Sequence, residues 1–275
     1  MRSEAAALLA AAVLAAAPAH AQDWRSVTSA RQLHGEREVA VRLEYGAGRL
    51  QVGPADGGLL YRMQLRYDER SMRPVSEYDD GVLRLGVRGH RQNQRIRRGG
   101  TAAIGLAPAV PMDLALSFGA GEAEVELGGM AVRRLDLSTG ASETSLRFSS
   151  PNRVAADVVS LSAGAASLRA TGLGNSRATR YVFDGGVGDV TLAFDGVWDR
   201  DASLDVDMGL GSVTLRFPRG LGVRIQKDSF LTSFSPGGMV RRGDAWYSRD
   251  WDTAEHRLTV QIDAALGSID VQWMD

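Results

Sequence analysis

"FGAGEAEVELGG", residues 118–129, sets two glycines one residue apart, directly ahead of a run that alternates apolar and polar residues. Related strings return as "YGAGRLQV" from 45, "GVGDVTLAF" from 186, "MGLGSVTLRF" from 208 and "ALGSIDVQW" from 265. A phosphate-binding glycine loop would occur once and would stand between a strand and a helix. This string recurs, and no copy opens a helical pattern or completes G-x-G-x-x-G or G-x-x-x-x-G-K-S/T. The glycines therefore read as corners, where a repeated bend needs φ > 0 and close approach of neighbouring backbones. In two units the corner decays to "TGASE" and "SAGAA", which keep small residues without always keeping the second glycine.

The third alternating position after each corner serves as a marker. The markers Val125, Leu146, Leu168, Leu192 and Leu215 are spaced by 21, 22, 24 and 23 residues. Self-similarity at such a period points to a stacked array. Each unit carries one alternating strand into its corner and another out of it, as in Leu114, Leu116, Phe118 and then Ala123, Val125, Leu127. Period-2 alternation gives each strand one apolar and one polar face. The chain is read as all-β, a right-handed parallel β-solenoid with coils of about 22 residues and a small N-terminal β cap domain.

One further copy stands at each end. "VAVRLEYGAGRLQV", residues 39–52, precedes the array by 73 residues, and "RLTVQIDAALGSIDVQW" follows it to Trp273. Between Leu215 and the last marker, Val271, lies an apparent insertion at about 225–256. Pro108 and Pro111 bracket the entry to the array. These signals divide the chain into 1–21, an N-terminal β domain at 22–100, and a body at 101–275. The last copy is expected to close the solenoid. Its Leu258, Val260, Ile262, Ile269, Val271 and Trp273 fall on the inward register, with Trp246 and Trp251 folded over the same end.

The first residues, "MRSEAAALLAAAVLAAAPAHAQ", have the charged start, short alanine-rich apolar stretch and Ala-His-Ala site of a secretory signal. Export to the periplasm or beyond is the expectation. The chain has no cysteine, which excludes disulfides, thiolate metal sites and a cysteine nucleophile. A formal net charge of −1 over 275 residues argues against nucleic acid as a partner.

Three stretches now carry a resemblance. "SARQLHGEREVAVRLEYGAGRLQVGPADGGLLYRMQLRYDE" resembles the N-terminal domain of the bacterial toast-rack family. "LAPAVPMDLALSFGAGEAEVELGG" and "GDAWYSRDWDTAEHRLTVQIDAALGSIDV" resemble the body that follows it, akin to adhesin-type and cell-wall-antibiotic-response proteins of bacterial envelopes. The resemblance implies a β-solenoid of stacked coils and no established chemistry.

Chemistry is sparse. Past the signal, His34, His90 and His256 are far apart, with no H-E-x-x-H spacing and no G-x-S-x-G elbow to support a metal or a triad. "GGVGDVTL" departs from the calcium nonapeptide because Asp189 comes one place early. "DRDASLDVD" offers Asp199, Asp201, Asp205 and Asp207; the last two point outward and read either as a solvated strand face or as an acid–base pair. No catalytic, cofactor or metal site is assigned. The surface residues singled out are Arg88, Arg91, Arg95, Arg97 and Arg98, able to hold an anionic polymer or lipid headgroup or simply to solvate a loop. Trp246, Tyr247 and Trp251 join them, able to stack on sugar or a partner or to close the solenoid. The function expected is a non-enzymatic envelope scaffold or adhesin-like interaction module whose partner is an envelope polymer, an anionic lipid surface or another envelope protein. Two alternatives stand beside it: a carbohydrate-active β-helix enzyme using outward carboxylates, and a ligand-sensing module in envelope-stress signalling.

Overall fold

A computed structural model describes residues 23–89 and 99–275. The expected signal segment, His90, and Arg91, Arg95, Arg97 and Arg98 lie outside the described residues.

The described chain is all-β, with one short 3-10 turn at Leu173–Ser176 and a single 15-stranded sheet. Its first strands are β1 (Trp24–Gln32), β2 (Val39–Pro54), β3 (Leu59–Asp68), β4 (Met72–Asp79), β5 (Val82–Gly89) and β6 (Gly100–Leu106). The long strands follow: β7 (Met112–Glu126), β8 (Val132–Arg147), β9 (Val158–Thr171), β10 (Arg180–Ala193), β11 (Ala202–Pro218) and β12 (Gly222–Ser235). β13 (Val240–Arg242), β14 (Ala245–Tyr247) and β15 (Arg257–Met274) complete the chain.

Each long strand is one alternating stretch, a corner and a second alternating stretch, hydrogen-bonded as a unit to its neighbour. β2, β7, β8, β9, β10, β11, β15 and β12 follow one another in parallel in that order. The glycine corners stack on one another: Gly48 pairs with Gly121, Gly188 with Gly211, and Gly211 with Gly267. One inward column runs Val41, Leu114, Leu135, Val159, Tyr181, Leu204, Val260, and every member is buried. A second interior column is aromatic, with Phe194 stacked on Phe217 at 5.5 Å and Phe217 tilted against Trp273 at 5.9 Å. Such stacking adds to the area each ring buries.

Connections between successive long strands are tied by side-chain amides. Asn152 accepts the Val132 N–H at 2.9 Å and donates to the Val132 carbonyl at 2.7 Å. Its burial costs little because both ends of the amide are satisfied.

Sequence order and spatial order differ at two places. β2 lies against β7, with Val52 opposite Val125, although four strands, β3 to β6, intervene in the chain. Its other edge is covered by β5 over Ala40–Glu44 and by β6 over Gly48–Pro54, and β6 leads to β3 and β1. The expected boundary near residue 100 falls between β5 and β6, both of which pair with β2.

At the far end β15 slots between β11 and β12, so the last strand in sequence is not the last in space. The stretch expected to be an insertion supplies β12, a full parallel neighbour of β15. The sequence concealed it because its grammar is broken. Val223 and Ile225 point inward and are buried, but Lys227 takes the next inward position, opposite Ile262. Thr232 stands where the second corner glycine belongs and donates its hydroxyl to the Ala264 carbonyl at 3.3 Å. β12 is the last long strand of the stack, and β14 covers only Arg224–Gln226 of its other edge, so its inward face beyond Gln226 is under weaker demand to be apolar.

Candidate functional site

The site is built from the corner itself. On either side of each corner glycine pair the alternation resumes, so the residue between the two glycines has nowhere to point but outward. These residues form a row along the whole stack. Ala47 pairs with Ala120, and Ala120 with Ala141. Ala165 pairs with Val187, Val187 with Leu210, Leu210 with Leu266, and Leu266 with Leu231. Ala141 and Ala165 hold equivalent places, bracketed by Thr139 opposite Ala163 and Glu143 opposite Ser167. The row is alanine in its first half and large aliphatic in its second.

Exposure makes that second half unusual. Val187 is 52%, Leu210 47%, Leu266 46% and Leu231 61% exposed. Among the described residues the large hydrophobics this exposed are these four plus Val197 and Val240. Scattered apolar residues on a surface need no explanation, but a contiguous line of them marks an interaction surface. Adjacent strands are about 4.8 Å apart, so the four side chains form a continuous ridge.

The ridge has an acidic flank. Three residues before it in each strand, Asp184 pairs with Asp207, Asp207 with Asp263, and Asp263 with Asp228. All four are exposed. Like charges directly opposite one another oppose sheet formation, so this ladder costs stability and is solvated here. In the alanine half the same row reads Glu44, Ser117, Ser138, Ser162. A depression of about 410 Å³ lies beside those alanines, lined among others by Tyr45, Gly46, Phe118, Gly119, Thr139 and Gly140. Glycine in the corners leaves that space open, and Tyr45 and Phe118, stacked at 6.2 Å, sit beneath it.

The other carboxylates of "DRDASLDVD" are engaged in holding the stack. Asp199 is clamped by Arg200 and Arg177, which hold its carboxyl down at about 2. Asp201 accepts the Arg257 N–H at 2.8 Å, and Asp205, half-buried, pairs with Arg180 at 2.9 Å. For Asp199 this is the opposite of what a general acid needs, a carboxyl whose protonated form is favoured. Only Asp207, in the exposed ladder, has no such clamp here.

Trp246, Tyr247 and Trp251 at the far end are each half-buried. Trp246 packs on Phe234 at 5.5 Å, and Tyr247 meets Trp251 edge to face at 5.4 Å. Arg242 lies 5.3 Å over Tyr247, and Arg257 lies 5.7 Å over Trp251. Each ring is thus engaged within the chain, where β14 pairs antiparallel with β12. Of the expected arginine surface, Arg88 is described and is exposed at the end of β5. It lines a depression of about 130 Å³ with Arg42 and Arg84, which face each other across the β2–β5 ladder.

The ridge was not singled out from the sequence, although its signal was present. It is the middle residue of each corner, between two glycines at Ala47, Ala120, Val187 and Leu210, and it grows from alanine to valine to leucine along the chain. Attention to the glycines hid the residue between them.

Comparison with known proteins follows the same outline. No curated protein matches the chain. Among solved structures, a candidate cell adhesion protein from Clostridium sporogenes is 15% identical, with 92% of this chain and 100% of that chain covered and a TM-score of 0.49. A candidate adhesin from Bacteroides fragilis is 12% identical, covering 89% of this chain and 97% of that chain at a TM-score of 0.31. A candidate lipid-binding protein from Parabacteroides distasonis is also 12% identical, covering 94% and 98% at a TM-score of 0.34. The model of the N-terminal domain of toast_rack matches residues 20–171, from ahead of β1 through β9. That match takes in more than half of the sequence, and the chain belongs to the toast-rack family.

Proposed function

We propose that the chain is an exported, non-enzymatic scaffold or adhesin-like interaction module of the cell envelope. Its body in this reading is a right-handed β-solenoid of coils of about 22 residues, the hand following from the strong right-handed preference of parallel crossovers. The observation that carries the reading is the exposed ridge Val187–Leu210–Leu266–Leu231 with its aspartate flank. A stack that orders its interior this thoroughly, yet leaves one aliphatic line uncovered, holds that line for a partner. Burying the exposed half of each side chain returns about 1 kcal/mol, so the ridge supplies roughly 4 kcal/mol. Association costs at least about that much, so the polar flanks must take part in any stable contact.

The test is retention on isolated cell envelopes. The polar variant Leu210→Ser/Leu266→Ser should melt with the parent, since both positions are exposed and no like charges are set opposite one another, and should lose at least about tenfold in retention. Equal retention would remove the ridge from the function.

A second contact rests on Arg42, Arg84 and Arg88, converging on one depression. Guanidinium groups gathered in this way suit phosphate or carboxylate. Arg91, Arg95, Arg97 and Arg98, outside the described residues, are proposed to take part in the same contact. Replacing Arg42, Arg84 and Arg88 by glutamine should leave melting unchanged and weaken low-salt adsorption to anionic vesicles by about 1 kcal/mol per charge. Adsorption equal to the parent's at low salt would exclude the cluster as a binding surface.

A further inference from the structure

We infer that the partner of the ridge is the alanine half of the same row on a second copy of this chain, docked antiparallel about a two-fold axis. This rests on the reading of the ridge as the interaction surface and names what fills it.

The row has eight places: Ala47, Ala120, Ala141, Ala165, Val187, Leu210, Leu266 and Leu231. Turned end for end onto a second copy, Ala47 faces Leu231, Ala120 faces Leu266, Ala141 faces Leu210 and Ala165 faces Val187. Every large side chain meets a small one, and none meets another large one. Both copies have the same strand repeat of about 4.8 Å, so the match holds along the whole row. The depression of about 410 Å³ is lined by Gly46, Gly119 and Gly140, the residues immediately before three of the alanines, so the facing leucines dock along its rim. A two-fold contact of this kind is self-complementary and uses the ridge twice.

The flanks agree with the same orientation. In the row that carries the aspartates, the reversed copy sets Asp263 opposite Ser117, Asp207 opposite Ser138 and Asp184 opposite Ser162. A serine hydroxyl donating to a carboxylate makes a charge-assisted hydrogen bond. One pair, Glu44 with Asp228, is unfavourable; both residues are exposed, so water screens it. The alternative two-fold, with copies side by side, would press ridge on ridge and leave both alanine halves uncovered. Size and charge both select the antiparallel form.

The absence of cysteine from the sequence makes the geometry directly readable. Ala120→Cys and Leu266→Cys are made separately, mixed in equal amounts and oxidised. The expected product is the mixed disulfide, in several-fold excess over either homodimer. A statistical mixture, homodimers alone, or no cross-link at all would overturn the arrangement. Ala141→Trp provides a second reading. It adds apolar surface, so general stickiness predicts more association in sedimentation, whereas filling the groove predicts a monomer; association equal to or above the parent's sinks the proposal. The two failures are distinguishable. A chain that never self-associates, but still needs Leu210 and Leu266 for envelope retention, keeps its interaction surface and has a different partner.

Discussion

A chain that stops at Arg257 is expected to form oligomers and aggregates rather than a soluble monomer. The removed residues are β15, which lies inside the stack. It pairs with β11 from Leu258 to Met274 on one side and with β12 from Arg257 to Asp270 on the other. Leu258, Val260, Ile262, Ile269 and Val271 are all buried. Each is worth roughly 1.5–3 kcal/mol as an upper estimate, so the five reach about 8–15 kcal/mol. That equals the whole net stability of an ordinary domain, about 5–15 kcal/mol. The loss is compounded by position. With β15 gone, β11 presents a long unpaired parallel edge, and β12, β13 and β14 lose the strand that attaches them. Exposed edges of this length pair with other chains. Expression of residues 22–257 followed by size-exclusion chromatography reads the outcome. A soluble, cooperatively melting monomer would show that the stack closes without its inner strand.

The same strand marks where sequence reading succeeded and where it stopped. The alternating strands, the corner glycines and the inward register of Leu258, Val260, Ile262, Ile269 and Val271 were legible, because alternation and paired glycines are local signals. Trp273 was assigned to the same inward face and is half-buried, at the end of the column of Phe194 and Phe217. What was not legible was order in space. A parallel ladder binds Leu204 to Val260 as readily across 56 residues as it binds Tyr181 to Leu204 across 23. Nothing local to "RLTVQIDAALGSIDVQW" tells which neighbour it will take. β12 escaped for the converse reason, since Lys227 and Thr232 occupy places where the pattern demands an aliphatic residue and a glycine. The ridge could have been found by comparing the middle residues of the corners, but its exposure could not. Exposure there depends on whether the corner turns that residue outward, which the stacked backbone decides.

The corner glycines are the second place where a single change is expected to be severe. Gly121 has φ +115 and Gly211 φ +142, a region that side-chain-bearing residues rarely occupy. Strain of this kind is worth of order 1–3 kcal/mol. Crowding adds to it. A Cβ at Gly121 would run into the carbonyl of Gly48, and one at Gly211 into the carbonyl of Gly188. The obstacle in both cases is backbone already locked in the parallel ladder, so neither partner can step aside. Gly121→Val and Gly211→Val should therefore each cost about 3 kcal/mol or more, lowering the melting temperature by roughly 6–12 °C. Two further substitutions separate the causes. Gly119 has no positive φ, yet its added Cβ would strike the Gly46 carbonyl. Gly53 also has no positive φ, and there a Cβ would sit at an ordinary 3.8 Å from the Glu126 carbonyl. Gly119→Ala should melt well below the parent, and Gly53→Ala beside it. If Gly119→Ala is harmless while Gly121→Ala is not, backbone conformation alone explains the corner and the stacking argument fails. If both valine variants melt within a degree or two of the parent, the stacked corners do not hold this fold together.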